Sequence, residues 1–276
     1  MVVELKKEEY SIAKNLFSGL HFQINCLAVL NNDAKGRIWV NNKEDPQSGL
    51  LVDSIYVMYS AGNPYSVNFN KDIVKIINNE IFPASQADSD TPNEWYMSYD
   101  DPAWQYILEV EFEKNNPTPI ELYHFIFSEN KIKNWREEIP DQYSLHQVDS
   151  YFLKQDNLKN HNHIANWINR SWKSLDDFLN RGFCFYITFN DSEIVSWAIS
   201  DWATEDKIEM GITTMEGYRQ KGLATLVTAA AADYCTKEKN ELRWFCATHN
   251  IPSWKTAEKV GFIKFKEYFI LCGDFK

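Results

Sequence analysis

The sequence is poor in cysteine, and its cysteines form none of the patterns that disulfide frameworks or zinc sites use. Five cysteines are scattered over 276 residues without a Cys-x-x-Cys pair. Such an odd, scattered set argues against a disulfide scaffold and fits the reducing cytoplasm, which is the predicted location. His161 and His163 are close in the sequence but have no carboxylates beside them, so no metal site is predicted.

Long apolar runs and an excess of positive charge are also missing. No run approaches the roughly 20 apolar residues that span a bilayer, and the start of the chain lacks the apolar core of a secretion signal. The chain carries 28 Lys and Arg against 39 Asp and Glu, a net charge of −11. This balance argues against a nucleic-acid partner, and no membrane partner is expected. It would attract a cationic amine, although simple solubility explains the same charge.

The sequence does have the composition of a globular protein, in two parts. Hydrophobic residues make up 44% and aromatic residues 15% of the chain, which argues against disorder. The charged segment 131–141 is predicted to be a linker. We therefore predict an N-terminal α/β domain over residues 1–135 and a second domain over residues 142–276.

Hydrophobic spacing predicts the elements of the first part. Residues 8–20 and 70–81 have helical spacing, and short apolar runs at 37–40 and 50–52 predict a hairpin. A polar, acidic loop is predicted over residues 83–93. Further along, we predict a strand at 95–99, a helix from Asp101-Pro102 and a strand at 120–127.

The most informative stretch runs from residue 207 to residue 262, in the order strand, glycine turn, helix, strand, helix. Alternating apolar residues predict a buried strand that begins at residue 207. The alanine-rich segment Leu223 to Cys235 has helical spacing, and a second strand is predicted over 242–248. The second helix opens at Ile251-Pro252-Ser253 and ends at Gly261.

The turn before the first of these helices is suited to an anion. A strand, a glycine turn and a helix N-terminus direct several backbone N–H groups to one place, where the helix dipole favours negative charge. Gly222 lets a ligand approach the main chain, and Arg219 and Lys221 add positive charge. The turn lacks the Gly-Lys-Ser/Thr of a P-loop and the glycine triplet of a dinucleotide fold. It suits a pyrophosphate.

These motifs resemble one known family. Arg219-x-x-Gly222-x-Ala224 matches the acyl-CoA signature of the GNAT N-acetyltransferases, and the family's downstream pattern matches Asn250, Ser253, Lys259, Gly261 and Phe262. The specific motifs cover about the last 130 residues. The chain is most similar to the bacterial subgroup that has an extra N-terminal domain.

The resemblance implies a GNAT-type fold, which is a mixed, mostly antiparallel sheet flanked by helices. A smaller α/β domain would precede it. The elements predicted over residues 95–130 repeat the order found over residues 207–250, which suggests a degenerate second GNAT copy without the glycine turn. Any mixed α/β chain can show this order, so both explanations stay open.

The resemblance also implies an activity. The family transfers the acetyl group of acetyl-CoA, a co-substrate, directly to an amine and without a metal. We expect a small, cationic acceptor. The alternative is a CoA-binding regulatory or interaction module that has lost catalysis, and the sequence leaves open whether the chain forms a homodimer.

Family membership would place CoA on two segments. Backbone groups of Ile212, Thr213 and Thr214 would hold the pantetheine arm and polarise the thioester carbonyl. The pyrophosphate would lie on the turn and the helix start, formed by Arg219, Gln220, Lys221, Gly222, Leu223, Ala224 and Thr225. Asn250 and Ser253 would line the same cleft, and Asn250 can cap its helix at the same time.

Two residues are candidates for the general base. Glu209 lies where many family members carry an acidic residue, although on a half-buried strand it could simply face solvent. His249 has a suitable intrinsic pKa beside Asn250, although a lone histidine is more often structural. Many members use a tyrosine to protonate the thiolate at a position that is Ala257 here, which leaves Tyr268 and Cys246 as substitutes. The thiolate can also leave unassisted.

Overall fold

The computed structural model describes residues 2–88, 93–154 and 157–275. Contacts divide the chain into two compact units, one formed by Met1–Glu121 with Phe269–Lys276 and the other by Leu122–Tyr268. This division lies upstream of the expected limits at 135 and 142. The predicted linker is part of the second unit, because Trp135 is buried in its core and its indole Nε1 donates to Asp233 Oδ2 at 2.8 Å.

The first unit is a mixed sheet with helices. Its strands are β1 Val3–Glu4, β2 Gly36–Val40, β3 Ser48–Asp53, β4 Met58–Gly62 and β5 Glu94–Tyr99, with residues 270–274 of the last strand of the chain. Its helices are α1 Ile24–Leu30, α2 Val67–Ile76, α3 Phe82–Ala87 and α4 Ala103–Glu111. Neighbouring strands from β1 to β4 are antiparallel, β4 and β5 are parallel, and β5 pairs antiparallel with residues 270–274.

The structure confirms the hairpin of the first unit and corrects two other expectations. Residues 8–20 lie in two 3₁₀ segments, Lys7–Ala13 and Ser18–Leu20, and the second contains Ser18 and Gly19, which are poor residues for a helix interior. The predicted loop at 83–93 instead begins with α3, which carries Pro83 in its first turn. Residues 89–92 of that loop lie outside the described part of the chain.

The second unit also consists of strands and helices. Its strands are β6 Thr118–Phe127 from residue 122 onward, β7 Tyr143–Gln147, β8 Cys184–Phe189, β9 Glu193–Ala203, β10 Lys207–Thr214, β11 Glu241–Ala247 and the first part of β12 Phe262–Asp274. Its helices are α5 His161–Ser171, α6 Leu175–Arg181, α7 Leu223–Glu238 and α8 Ile251–Val260. Neighbouring strands from β7 to β10 are antiparallel, β10 and β11 are parallel, and β11 pairs antiparallel with β6.

The two units therefore share one topology. Each has four successive antiparallel strands, a parallel fifth strand reached through one or two α-helices, a further helix and an antiparallel sixth strand, which is residues 270–274 in the first unit and β6 in the second. Segment β4–α2–α3–β5 corresponds to β10–α7–β11, so the repeat predicted from residues 95–130 was displaced by one strand. The correspondence supports a degenerate second GNAT copy. In that copy the turn before α2 is Asn63-Pro64-Tyr65-Ser66, without the glycine signature.

The helices of the described residues are too short or too polar to cross a bilayer.

Candidate active site

Strands β10 and β11 begin as a pair and then separate. Their parallel pairing joins residues 207–209 to residues 241–243, and the described residues beyond these make no further pairs between the two strands. Strand β10 continues beside β9 as far as Thr214, with a register shift between Glu209 and Met210. The edge of β10 that faces β11 is therefore open after Glu209. Open backbone groups require a partner, and an extended chain that carries amides can supply one.

The loop after β10 ends at the N-terminus of α7. Gly222 has φ +78°, and a Cβ placed on it would have no heavy atom within 4 Å. Gln220 also adopts a positive φ of 62°. The Arg219 side chain donates from Nε to the Thr214 carbonyl at 3.2 Å, and Lys221 Nζ lies 5.0 Å from the Tyr218 ring centroid. The loop is thus an open turn with two cationic residues at its edge.

Helix α7 presents main-chain groups rather than side chains to this space. The Leu223 and Thr225 side chains are buried and that of Ala224 is partly buried. The first helical hydrogen bond runs from the Leu226 N–H to the Gly222 carbonyl at 3.2 Å, so the N–H groups before it have no partner within the helix. The dipole of this 16-residue helix favours an anion at the same end. The residues present fit a pyrophosphate group.

Helix α8 begins beside the end of β11. The Asn250 side chain caps it by accepting from the Ser253 N–H at 3.4 Å, and Asn250 is exposed. The Ser253 hydroxyl accepts from Trp244 Nε1 at 3.2 Å. Asn250 thus has the predicted capping role, and its exposure leaves the amide accessible to a ligand.

Glu209 lies at the point where β10 and β11 separate, and it is buried. Its side chain is 1% exposed, and its Oε2 lies 3.6 Å from Nε2 of His124, which is 0% exposed. His124 comes from β6, on the far side of β11, where it is paired with Phe245. The alternative of a solvent-facing Glu209 therefore does not match the structure. Sequence patterns did not single out His124, because its neighbour is distant in the chain.

Positive charge and a tyrosine surround this pair. Arg243, which is paired with Glu209 across the strands, binds Glu241 Oε1 through Nε at 2.6 Å. Burial, followed by the charges of Arg243 and Lys266, lowers the pKa of His124 to about 3, so its imidazole is neutral at pH 7. Burial and then the Glu209 charge raise the pKa of Tyr268 well above its usual value. Tyr268 therefore keeps its proton.

The remaining candidate residues are spread over the unit. His249 is exposed in the turn after β11, and the strand from Arg243 to Ala247 alone spans about 13 Å, so His249 is not beside Glu209. Ala257 is buried in the core and carries no proton donor. Cys246 is buried, which raises the pKa of its thiol despite a hydrogen bond with Ser253.

The two histidines of α5 have different partners. His161 Nε2 lies 3.0 Å from the Phe152 carbonyl oxygen, whereas the His163 ring stacks on Trp197 with centroids 5.9 Å apart. Over the described ranges, no group of three His, Cys, Asp or Glu side chains is arranged to hold a metal ion.

A comparison with family models identifies the chain. The model described as GNAT acetyltransferase matches residues 14–271. The chain belongs to the GNAT acetyltransferase family. It is accordingly an acyltransferase, and the family's reaction takes an acetyl group from acetyl-CoA. The match includes both units, so the N-terminal part is covered by the family as well.

Relatives agree with this assignment. An uncharacterized N-acetyltransferase, YdfB of Bacillus subtilis (strain 168), is 22% identical over 271 residues, which are 97% of each chain. Among solved structures, a GCN5-related N-acetyltransferase-like protein from Streptococcus suis 89/1591 has a TM-score of 0.74 at 20% identity, over 97% of this chain and 99% of that one. A tandem GNAT protein from the clavulanic acid biosynthesis pathway has a TM-score of 0.58 at 10% identity, over 99% and 98%. These structural likenesses show the same fold.

Proposed function

We propose that this GNAT protein acetylates the amine of a small, cationic acceptor and that Glu209 is the general base. The observation that carries the proposal is the position of the Glu209 carboxylate, buried at the point where β10 and β11 separate. A base must lie within reach of the amine, directly or through one water. The net charge of −11 supports a cationic acceptor.

Acetyl-CoA would be held by backbone groups on two sides of the opening. The N–H groups of residues 220–225 would bind its pyrophosphate at the α7 N-terminus, with Arg219 and Lys221 at the rim. The open edge of Ile212 to Thr214 would pair with the amides of the pantetheine arm. Bound there, the co-substrate supplies an activated acetyl thioester. Asn250 and Ser253 would line the arm from the α8 side.

The protein's own groups would manage the protons. Glu209 would take the proton from the acceptor ammonium, since only the free amine is nucleophilic. Tyr268 stays protonated beside Glu209 and is the proposed donor to the departing thiolate, the role that Ala257 does not fill. His249 is exposed after β11, so it would lie at the entrance of the acetyl-CoA opening and not beside the general base Glu209.

Calorimetry with acetyl-CoA on the wild type and on Gly222→Glu tests the binding site. The substitution puts a negative side chain into the open space of the proposed pyrophosphate site, so we expect one molecule bound per wild-type chain and at least tenfold weaker binding by the variant. Gly217→Glu is the control, because Gly217 is also an exposed loop glycine with open space but lies outside residues 220–225. Equal binding by all three proteins would contradict the site.

Thiol release from acetyl-CoA in the presence of an amine panel tests the activity. We expect turnover with cationic amines and a loss of about 10²- to 10⁴-fold in kcat for Glu209→Gln, because a general base contributes that much. Acetyl-CoA affinity should not change. Glu216→Gln, at an exposed loop position, is the control. Binding of acetyl-CoA without turnover for any amine would favour the regulatory module, and a flat profile across the panel would contradict the cationic acceptor.

A further inference from the structure

The residue that most needs a role beyond the proposed function is His124. Its side chain is completely buried, and its Nε2 faces Glu209 Oε2 at 3.6 Å. The two residues come from β6 and β10, which lie on opposite sides of β11 in the sheet. The side chains therefore reach toward each other across a strand. Packing alone would be satisfied by an apolar residue at either position.

The charged and hydroxyl-bearing groups around this pair come from β11 and β12, and Trp202 of β9 is paired with Glu209. Strand β11 provides Arg243, whose guanidinium binds Glu241, and β12 provides Lys266 and Tyr268. Tyr268 has its ring centroid 6.4 Å from that of His124. The Phe265 ring lies edge-on to the imidazole, with ring centroids 6.1 Å apart. The imidazole is thus held in place by aromatic rings among cationic residues.

This surrounding charge determines which form of His124 is present. Two nearby cations and complete burial both oppose an imidazolium. A neutral imidazole can still donate one N–H to the carboxylate. A cation beside Glu209 would weaken it as a base, whereas a neutral donor orients it and changes its proton affinity less.

We propose that His124 is a positioning residue for Glu209, which it orients as a neutral imidazole that donates from Nε2 to the carboxylate. The proposal rests on the proposed function of Glu209. At 3.6 Å the contact is longer than a hydrogen bond, as is common in catalytic sites without substrate, and we expect it to shorten when the acceptor binds.

Kinetics of acetyl transfer against pH for wild type, His124→Leu, His124→Gln and His124→Lys test this role. We expect His124→Leu to lower kcat about 10- to 100-fold with an unchanged KM for acetyl-CoA, and to move the acid limb of kcat/KM to higher pH, since the carboxylate loses a donor. His124→Gln carries an amide N–H at a similar reach and should recover most of the rate. His124→Lys should move the acid limb to lower pH. His146→Leu, at an exposed histidine of β7, is the control.

A second readout separates this proposal from the function on which it rests. The ¹³C NMR shift of the Glu209 carboxylate, followed against pH in protein labelled at glutamate, should show a raised pKa in His124→Leu and recovery in His124→Gln. Wild type that never acetylates an amine would end the proposed function, and the NMR titration would still decide about His124. Identical rates, pH limbs and carboxylate titrations in wild type and folded His124→Leu would overturn the proposal, as would equal losses in the Leu and Gln variants. If His124→Leu does not fold, the wild type is compared with His124→Gln and His124→Lys instead. An acid limb and a Glu209 titration that stay unchanged in His124→Lys would then overturn the proposal.

Discussion

The buried side chain of His124 should make the stability of the protein depend on pH in the acid range. An unfolded histidine takes up a proton near its ordinary pKa of 6.5, whereas the folded imidazole takes it up only near pH 3. Between these values the unfolded state binds more protons, so the free energy of unfolding falls as the pH falls. Each pH unit in this window costs up to about 1.4 kcal/mol for one such group.

We predict that His124→Gln loses less stability than the wild type on acidification. Between about pH 6.5 and about pH 4 the difference should reach up to about 3 kcal/mol, because glutamine does not titrate. Urea unfolding of both proteins at the two pH values measures it. His146→Gln, at an exposed position of β7, is the control. Parallel losses in wild type and His124→Gln would contradict the lowered pKa.

Gly261 is a second position at which the structure requires one residue type, glycine. It ends α8 at φ +125°, and an added Cβ would lie 1.8 Å from the backbone oxygen of Glu129. We predict that Gly261→Ala destabilises the protein by about 3 kcal/mol or more, since strain and a backbone clash combine. Gly222→Ala, at φ +78° in open space, should cost only about 1 kcal/mol. Denaturant unfolding compares them, and equal costs would show that the contact with residue 129 yields easily.

At the scale of elements, the separation of β10 from β11 leads to a prediction about backbone hydrogen exchange. We predict that acetyl-CoA slows exchange at the amides of Ile212 and Thr214, which face away from β9, and of residues 220–225 by at least about tenfold, because it would become their partner. The amides of β3, which already pair on both sides, serve as the control. Protection elsewhere, with none at these two segments, would move the binding site away from α7.

Elements with strong local patterns were predictable from the sequence, and those that depend on distant pairing were not. Helix α7 was expected from Leu223 because alanine-rich spacing and a glycine start are local signals. The shape of the candidate anion turn followed from the same few residues. His124 was not expected, because its proximity to Glu209 arises only when β6 pairs with β11, more than 110 residues away in the chain. The helix predicted over 8–20 is replaced by two 3₁₀ segments, and Ser18 and Gly19 account only for the second.

At the scale of the whole molecule, the chain repeats one topology and keeps the anion turn in only one copy. Strand β4 leads into α2 through four residues, whereas β10 leads into α7 through the eight residues 215–222. Gly62, at the end of β4, donates its N–H to Asp100 Oδ2 at 2.9 Å, so a carboxylate already lies at this turn of the first unit. A second acetyl-CoA at that turn would meet negative charge. The single binding event expected in calorimetry follows from this difference.

The extent of the second unit gives the last prediction, which concerns fragments of the chain. This unit begins at Leu122 and includes β6 and the buried Trp135, so a fragment of residues 142–268 lacks both. Removal of a buried phenylalanine or tryptophan side chain costs about 3–5 kcal/mol, and losing Phe125 together with Trp135 approaches the whole stability of a domain, about 5–15 kcal/mol. We predict that residues 122–268 unfold in a cooperative thermal transition by circular dichroism and that residues 142–268 do not. A cooperative transition in the shorter fragment would show that the domain folds without β6, and would favour the domain boundary at residue 142 that the sequence predicts.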